Sequence, residues 1–240
     1  MKLRVLGCGD AFGSGGRNQS GYLVEHNERF VLLDCGPTSL MAMKRCGLDP
    51  LALDAIFLSH LHGDHFAGIP FFFIEYLYQR RRTQPLDIAG PVDTERRIRD
   101  LFQVMYGARE LPPVRFHVLE PEKPARIAQI DIATFRVPHQ VNDVSLALKL
   151  DCADKRILFS GDSAWTERFI TEARGVDLFL CECTYYDQGS TNHVRYLTLE
   201  PNLPRLECKR VLLTHLGEEM LERRAELAVG CAEDGILVEF

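Results

Sequence analysis

Short apolar runs bounded by glycine, proline or polar turns recur along the whole chain, the pattern of a protein rich in buried strands. Residues 3–6 lead into a glycine-rich loop, residues 7–16. Residues 22–24 and 30–33 follow as two strands joined by a polar turn at His26-Asn27-Glu28, which leaves His26 as a surface turn residue. Residues 38–46 read as a helix stopped by Gly47 and Pro50. Another strand, residues 55–58, precedes a polar cluster and then the apolar, aromatic stretch 69–78, which ends in Arg80-Arg81-Arg82. Such a stretch suits a core or a dimer interface better than a base-stacking platform, and the arginine triplet suits a solvated helix end. Residues 86–89 predict a strand and 92–106 an amphipathic helix carrying Arg96, Arg97 and Arg99; the sequence leaves open whether the two arginine groups meet in one basic rim. In the second half, residues 114–119 and 127–137 alternate as strands, 145–150 and 156–159 as a hairpin, and 177–183 and 210–213 as buried strands. His117 lies on the face opposite Val114, Phe116 and Val118 and reads as a histidine outside any site.

Composition narrows the classes. With 240 residues, 46% hydrophobic and 26% charged, the chain can bury a sizeable core as one domain, residues 1–240. A formal net charge of −6 argues against a protein that coats nucleic acid, though not against a local basic groove. No apolar run approaches membrane-spanning length and no signal-peptide core follows Met1, so the expected location is the cytoplasm. The eight scattered cysteines contain no C-x-x-C pair and read as free thiols in a reducing compartment.

The polar cluster carries the chemistry. Directly after the strand 55–58, His60, His62, Asp64 and His65 form H-x-H-x-D-H, three imidazoles and a carboxylate with Gly63 between them. A packed core would not choose this set; a metal site would. Strand alternation sends His60 and His62 to one side, toward one ion, while Asp64 and His65 beyond the turn face a second. Three further ligand-type residues sit just past apolar runs: His139 after Val137-Pro138, Asp162 in Ser160-Gly161-Asp162-Ser163, and His215 after Thr214.

The motif resembles the signature of the metallo-β-lactamase superfamily. The resemblance implies an α+β fold, the αββα sandwich of two mixed β-sheets with flanking helices and a metal site at one edge. His60, His62 and His139 then form one three-nitrogen site, Asp64, His65 and His215 a second, and Asp162 bridges them. Ligand counting agrees, since a shared hydroxide brings each metal to about four ligands. Two divalent ions are thus expected, zinc first for a histidine-rich set, with manganese or iron as alternatives. The superfamily also keeps an aspartate at the Asp34 position that orients a ligand histidine or the following loop rather than binding metal. The glycine-rich loop lacks the G-K-[ST] ending of a phosphate-binding loop, and by the resemblance it is a flexible wall of the metal cleft.

Two cations stabilise an attacked centre but donate no proton, so a further residue is expected. His193, in Gly189-Ser190-Thr191-Asn192-His193, reads equally as a surface loop histidine or as that proton donor. Here the chain is similar to the ribonuclease Z and cyclic phosphodiesterase group: Glu182-Cys183-Thr184 followed by His193, the N-terminal L-G-C-G-D-A-F-G…R-N-Q-S-G-Y-L, and the C-terminal L-L-T-H-L. The resemblance makes His193, Glu182 and Asp64 catalytic, with Glu182 orienting His193. The chain departs from it in four respects: H-V-R stands for H-S-T, Asp162-Ser163 stands for Asp-Thr, the extra structural zinc cysteines of the phosphonate-pathway enzyme have no clear match, and only twenty-two residues separate His139 from Asp162, too few for the tRNA-binding arm of ribonuclease Z. A binuclear hydrolase cleaving a small or cyclic phosphodiester follows. The alternatives are an acyl hydrolase (lactonase or thioesterase) on the same metals, or a ribonuclease Z-like nuclease acting on RNA. A homodimer through the aromatic stretch is compatible with either.

Overall fold

The computed structural model describes residues 1–107, 110–152 and 154–240. Fourteen strands among these residues form two seven-stranded sheets. The first holds β1 (Lys2–Gly7), β2 (Gly21–His26), β3 (Arg29–Leu33), β4 (Ala55–Phe57), β5 (Leu86–Gly90), β6 (Val114–Val118) and β14 (Leu237–Glu239), in the order β14-β1-β2-β3-β4-β5-β6. The second holds β7 (Ala125–Ile127), β8 (Ile130–Arg136), β9 (Leu146–Asp151), β10 (Arg156–Phe159), β11 (Leu178–Glu182), β12 (Val211–Thr214) and β13 (Gly230–Cys231), ordered β13-β12-β11-β10-β9-β8-β7. Both sheets are mixed: β3 to β6 and β10 to β13 pair in parallel, and the remaining neighbours are antiparallel.

The sheets stack face to face, and each carries helices on its outer side, so the central strands are apolar on both faces. Val31, Leu33, Ala55 and Phe57 point into the middle layer against Leu148, Leu150, Ile157 and Phe159 of the other sheet. Leu32, Ile56 and Leu58, one residue out of phase, point outward under Phe72, Phe73, Ile98 and Phe102. On the far side Leu158, Phe179 and Leu213 are covered by Phe169, Tyr196 and Met220. Each fully buried leucine or phenylalanine contributes roughly 1.5–3 kcal/mol, which is why the runs are continuous rather than alternating. This is the metallo-β-lactamase sandwich expected from the motif.

Two local readings change and one is refined. Residues 127–137 are not one strand but the end of β7 and all of β8, joined at Ala128 and Gln129 with φ of 48° and 66°. Turns with two left-handed residues favour Asn-Gly or Asp-Gly, so Ala-Gln gave no signal. The stretch after the motif forms a helix, Ile69–Ile74, that widens into a π turn over Glu75–Gln79; Phe72, Phe73 and Tyr76 are core, while Tyr78 is exposed. Arg82 is not a solvated helix end. It is buried, donates to the carbonyls of Leu51, Leu53, Gln84 and Pro85, and lies 5.1 Å from the Tyr76 ring centre. Arg81, Arg82 and Arg99 line one groove, whereas Arg96 and Arg97 turn to Asp93, Asp100 and Asp143, so the two arginine groups meet there through Arg99 alone. Among the described residues no helix is long and apolar enough to cross a membrane.

Candidate metal centre

The carboxyl ends of β3, β4, β10, β11 and β12 converge on one edge of the sandwich, and the chain turns sharply as it leaves them. Asp34 and His215, directly beyond β3 and β12, take left-handed φ of 55° each, and Gly161, two residues beyond β10, takes 57°. For the two non-glycine residues this backbone costs on the order of 1–3 kcal/mol, a strain that persists only where the surroundings fix it. Gly161 needs its missing side chain as well: a Cβ there would lie 2.6 Å from the Leu146 carbonyl oxygen and 2.8 Å from Ser59 Cβ. That close approach brings Asp162 against the segment carrying His60.

Six of the eight histidines gather at this edge. His60, His62, His139 and Asp162 offer ligand atoms within 4.8 Å of one another; so do Asp64, His65, Asp162 and His215. Asp162 belongs to both groups. Its Oδ2 faces Nε2 of His65 at 3.3 Å, of His215 at 3.4 Å, and of His60 and His139 at 3.8 Å each. His62 Nδ1 lies 3.2 Å from His139 Nε2, and Asp64 Oδ2 lies 3.1 Å from His65 Nε2 and 3.3 Å from His215 Nε2.

The opposite nitrogen of most of these rings is tied down. Asp34, fully buried, accepts from Ser59 N, Ser59 Oγ and His65 Nδ1, each at 2.7 Å, and Ser59 Oγ is 3.0 Å from His60 Nδ1. His139 Nδ1 donates to the Asn192 carbonyl at 3.0 Å, and His215 Nδ1 meets Thr184 Oγ1 at 2.9 Å. Such outer hydrogen bonds fix ring orientation and leave Nε2 of His60, His65, His139 and His215 turned toward the centre. Asp34→Ala would leave three buried donors without their acceptor, and a loss of roughly 3 kcal/mol in denaturant unfolding is expected. An unchanged midpoint would show that Asp34 does not hold this edge together.

Electrostatically the edge is polarised. Burial alone would keep His65 neutral, but Asp162, Asp34 and Asp64 outweigh it and push its pKa well above the usual histidine range. Burial likewise opposes ionisation of Asp162, yet His215, His65 and His60 hold its carboxyl well below the usual range. His60 is driven the other way, by burial and by neighbouring His65, and stays neutral. Nε2 of His60, Nε2 of His65 and Oδ1 of Asp162 are buried without a hydrogen-bond partner. Polar atoms in that state cost about 1–3 kcal/mol each, so three aimed into one space fit a cation.

His193 adjoins the centre on a separate loop. Its ring stacks over His215 (centroids 5.5 Å, planes 8° apart) and meets His139 edge-on at 4.8 Å. Its Nδ1 is 2.8 Å from Glu182 Oε1, which also accepts from Ser163 N at 2.9 Å; Glu182 Oε2 accepts from Thr184 N and Oγ1, both at 3.2 Å. Burial opposes protonation of His193, but the Glu182 carboxylate prevails and its pKa is pushed up to about 9. Thr184 Oγ1 touches His193, His215 and Glu182 together, a role the sequence reading missed; its place two residues beyond Glu182, just past the end of β11, is the one signal available. The glycine-rich loop runs beside His215, bridged from Gly9 to Leu216. It is tied down where Asp10 accepts from Phe12 N, Ser14 N and Ser14 Oγ, rather than left as a loose wall. His117 lies outside this edge, paired with Asp87 at 2.8 Å, and His26 lies at the β2–β3 turn.

The family model of the anti-Pycsar protein Apyc1 matches residues 1–232. The chain belongs to this family. It is 28% identical over 225 residues to the probable metallo-hydrolase YhfI of Bacillus subtilis, covering 90% of this chain and 87% of that one. It is 30% identical over 152 residues to ribonuclease Z of Methanococcus maripaludis, covering 62% of this chain and 48% of the relative, so the matched region spans about half of that enzyme. Among solved structures, YhfI superposes with a TM-score of 0.80 (24% identity, 99% of each chain). The short form of human tRNase Z follows with 0.79 (22% identity, 100% of this chain and 99% of that one). The family and these relatives make the chain a metal-dependent hydrolase of the metallo-β-lactamase superfamily, related to ribonuclease Z.

Proposed function

We propose that residues 1–240 act as a single-domain phosphodiesterase on a small or cyclic phosphodiester, using two divalent cations, zinc in the first instance. His60, His62 and His139 would hold one, Asp64, His65 and His215 the other, and Asp162 both. When bound, such a pair lowers the pKa of a shared water toward neutrality and stabilises charge on the attacked phosphorus.

The protein's own groups do the rest. Asp34, Ser59, the Asn192 carbonyl and Thr184 hold the ligand rings, so the site needs little reorganisation on loading. Glu182 engages Nδ1 of His193 and leaves Nε2 as the nitrogen free to meet substrate. From there His193 gives a proton to the departing oxygen, which an alkoxide requires and a nitrophenolate does not. The observation that carries this reading is the His193–Glu182 pair set against both ligand groups. The short path from His139 to Asp162 supports a small substrate: β9 and β10 within the sheet take up its described residues, which form no projecting arm.

The test is the rate on bis(p-nitrophenyl) phosphate beside a lactone and a thioester, with protein whose metal content has been counted. Metal-dependent phosphodiester turnover with little acyl hydrolysis is the expected result. Acyl turnover without phosphodiester cleavage would transfer the site to the lactonase or thioesterase class.

A further inference from the structure

The glycine-rich loop leaves the end of β1 and returns to β2, and both of its stems are held by a residue from far along the chain. Asp234 is half-buried on the crossover from β13 of the second sheet to β14 of the first. Its Oδ1 accepts from Cys8 N at 3.0 Å and Cys8 Sγ at 3.2 Å, and its Oδ2 accepts from Asn18 N at 2.7 Å. The two carboxylate oxygens thus hold opposite ends of one loop. We infer that Asp234 is a positioning residue for the metal centre, acting through Cys8 to hold His215 in place. The inference rests on the two-cation reading for what His215 binds.

The path runs through a single residue. Cys8 gives its N–H to Asp234, and its carbonyl accepts from Leu216 N at 3.0 Å, so the residue after His215 is tied to Asp234 across Cys8 alone. Gly9 bridges Leu216 in parallel register, and Gly9 N donates to the Asn18 carbonyl at 2.9 Å, which closes the stems where the extension of β1 meets the end of β12. His215 has φ 55°, a backbone that persists only where its surroundings over-determine it. Two bonds flank that strain: the Thr184 carbonyl holds Gly217 N at 3.1 Å from the β11 side, and Cys8 holds Leu216 from the loop side. Loss of the second leaves the turn restrained from one direction.

Asp234 is itself fixed against both sheets. Ala232 N donates to the Leu213 carbonyl at 2.7 Å, Gly235 N to the Val5 carbonyl at 2.7 Å, and Arg4 Nη1 to the Gly235 carbonyl at 2.9 Å. Its charge matters as much as its place, because hydrogen bonds to a carboxylate are roughly twice as strong as those between neutral groups. Burial and the Asp234 carboxylate push the Cys8 thiol up to about 12, so the sulfur stays protonated and donates instead of repelling its partner.

Amide exchange in the metal-free protein tests this path without relying on turnover. Asp234→Ala should speed exchange of the Asn18 N–H, which loses its acceptor, and of the Leu216 N–H beyond Cys8, each by about tenfold, the scale of a hydrogen bond to a charged group. The amides of β9 should keep their wild-type rates. Asp234→Asn retains the shape and one oxygen, so it should fall between, and it decides the matter if the alanine variant does not fold. Zinc counted after dialysis should drop from two per chain toward one in Asp234→Ala, with kcat lowered more than KM. Glu233→Gln, which alters a surface pair with Arg224, should match the wild type in every measurement. Faster exchange at Asn18 with Leu216 unchanged would make Asp234 a support of the loop alone and overturn the inference, as would uniformly faster exchange that includes β9. A wild-type protein holding one zinc would remove the two-cation reading and leave the exchange result standing. Two zinc ions with Leu216 unmoved would keep that reading and remove Asp234 from it.

Discussion

Replacing Asp162 with alanine is expected to strip the protein of most of its metal and to lower turnover on bis(p-nitrophenyl) phosphate beyond the roughly 10–100-fold that follows loss of an outer hydrogen-bond partner. The reason lies in its position. No other carboxylate belongs to both ligand groups, and its Oδ2 has four imidazole nitrogens within 3.8 Å. Without it, the two groups become three-residue sets, and the negative charge that raises the pKa of His65 and His215 is lost with the ligand. Asp162→Asn separates these contributions: it retains the shape and one acceptor but not the charge, so it should keep more metal than alanine and still turn over poorly. Metal counted by emission spectroscopy and rate measured on the same samples form the check. Full activity with unchanged metal content would remove Asp162 from the bridging position.

The fold was legible because its buried strands are short, apolar on both faces and punctuated by glycine and proline, and because H-x-H-x-D-H sits at a strand end. The later candidates were weaker individually. His139, Asp162 and His215 drew their force from recurring just beyond apolar runs, and the structure brings all three to the edge where His60 to His65 lie. Other features could not be read, for identifiable physical reasons. The Ala128-Gln129 turn uses residues without a turn signature, and Arg82 reads as surface until its carbonyl acceptors are assembled from two segments, residues 51–53 and 84–85. Thr184 is ordinary in sequence. Its role appears only when the end of β11, the 185–195 loop and His215 beyond β12 come together, since spacing alone does not tell which hydroxyl touches three functional groups.

His193→Ala should leave metal content unchanged while slowing phosphodiesters in a way that depends on the leaving group. For an alkyl leaving group, whose oxygen must be protonated as it departs, a loss of about 10²–10⁴-fold is expected, the range for a general acid. For a nitrophenyl ester, which leaves as a stable anion, the loss should stay within about tenfold. The contrast follows from placement: His193 stands over His215 and beside His139 but is held by Glu182 and Thr184, so its removal vacates no position in either ligand group. Glu182→Gln is the less clean companion. Glu182 also accepts from Ser163 N and Thr184 N, so that variant disturbs the turn carrying Asp162 as well as the histidine. Equal losses on both ester classes would make His193 a binding or structural group. A fall in metal content would place it among the ligands, with the group it forms with Glu182 and His215 as the site of that ion.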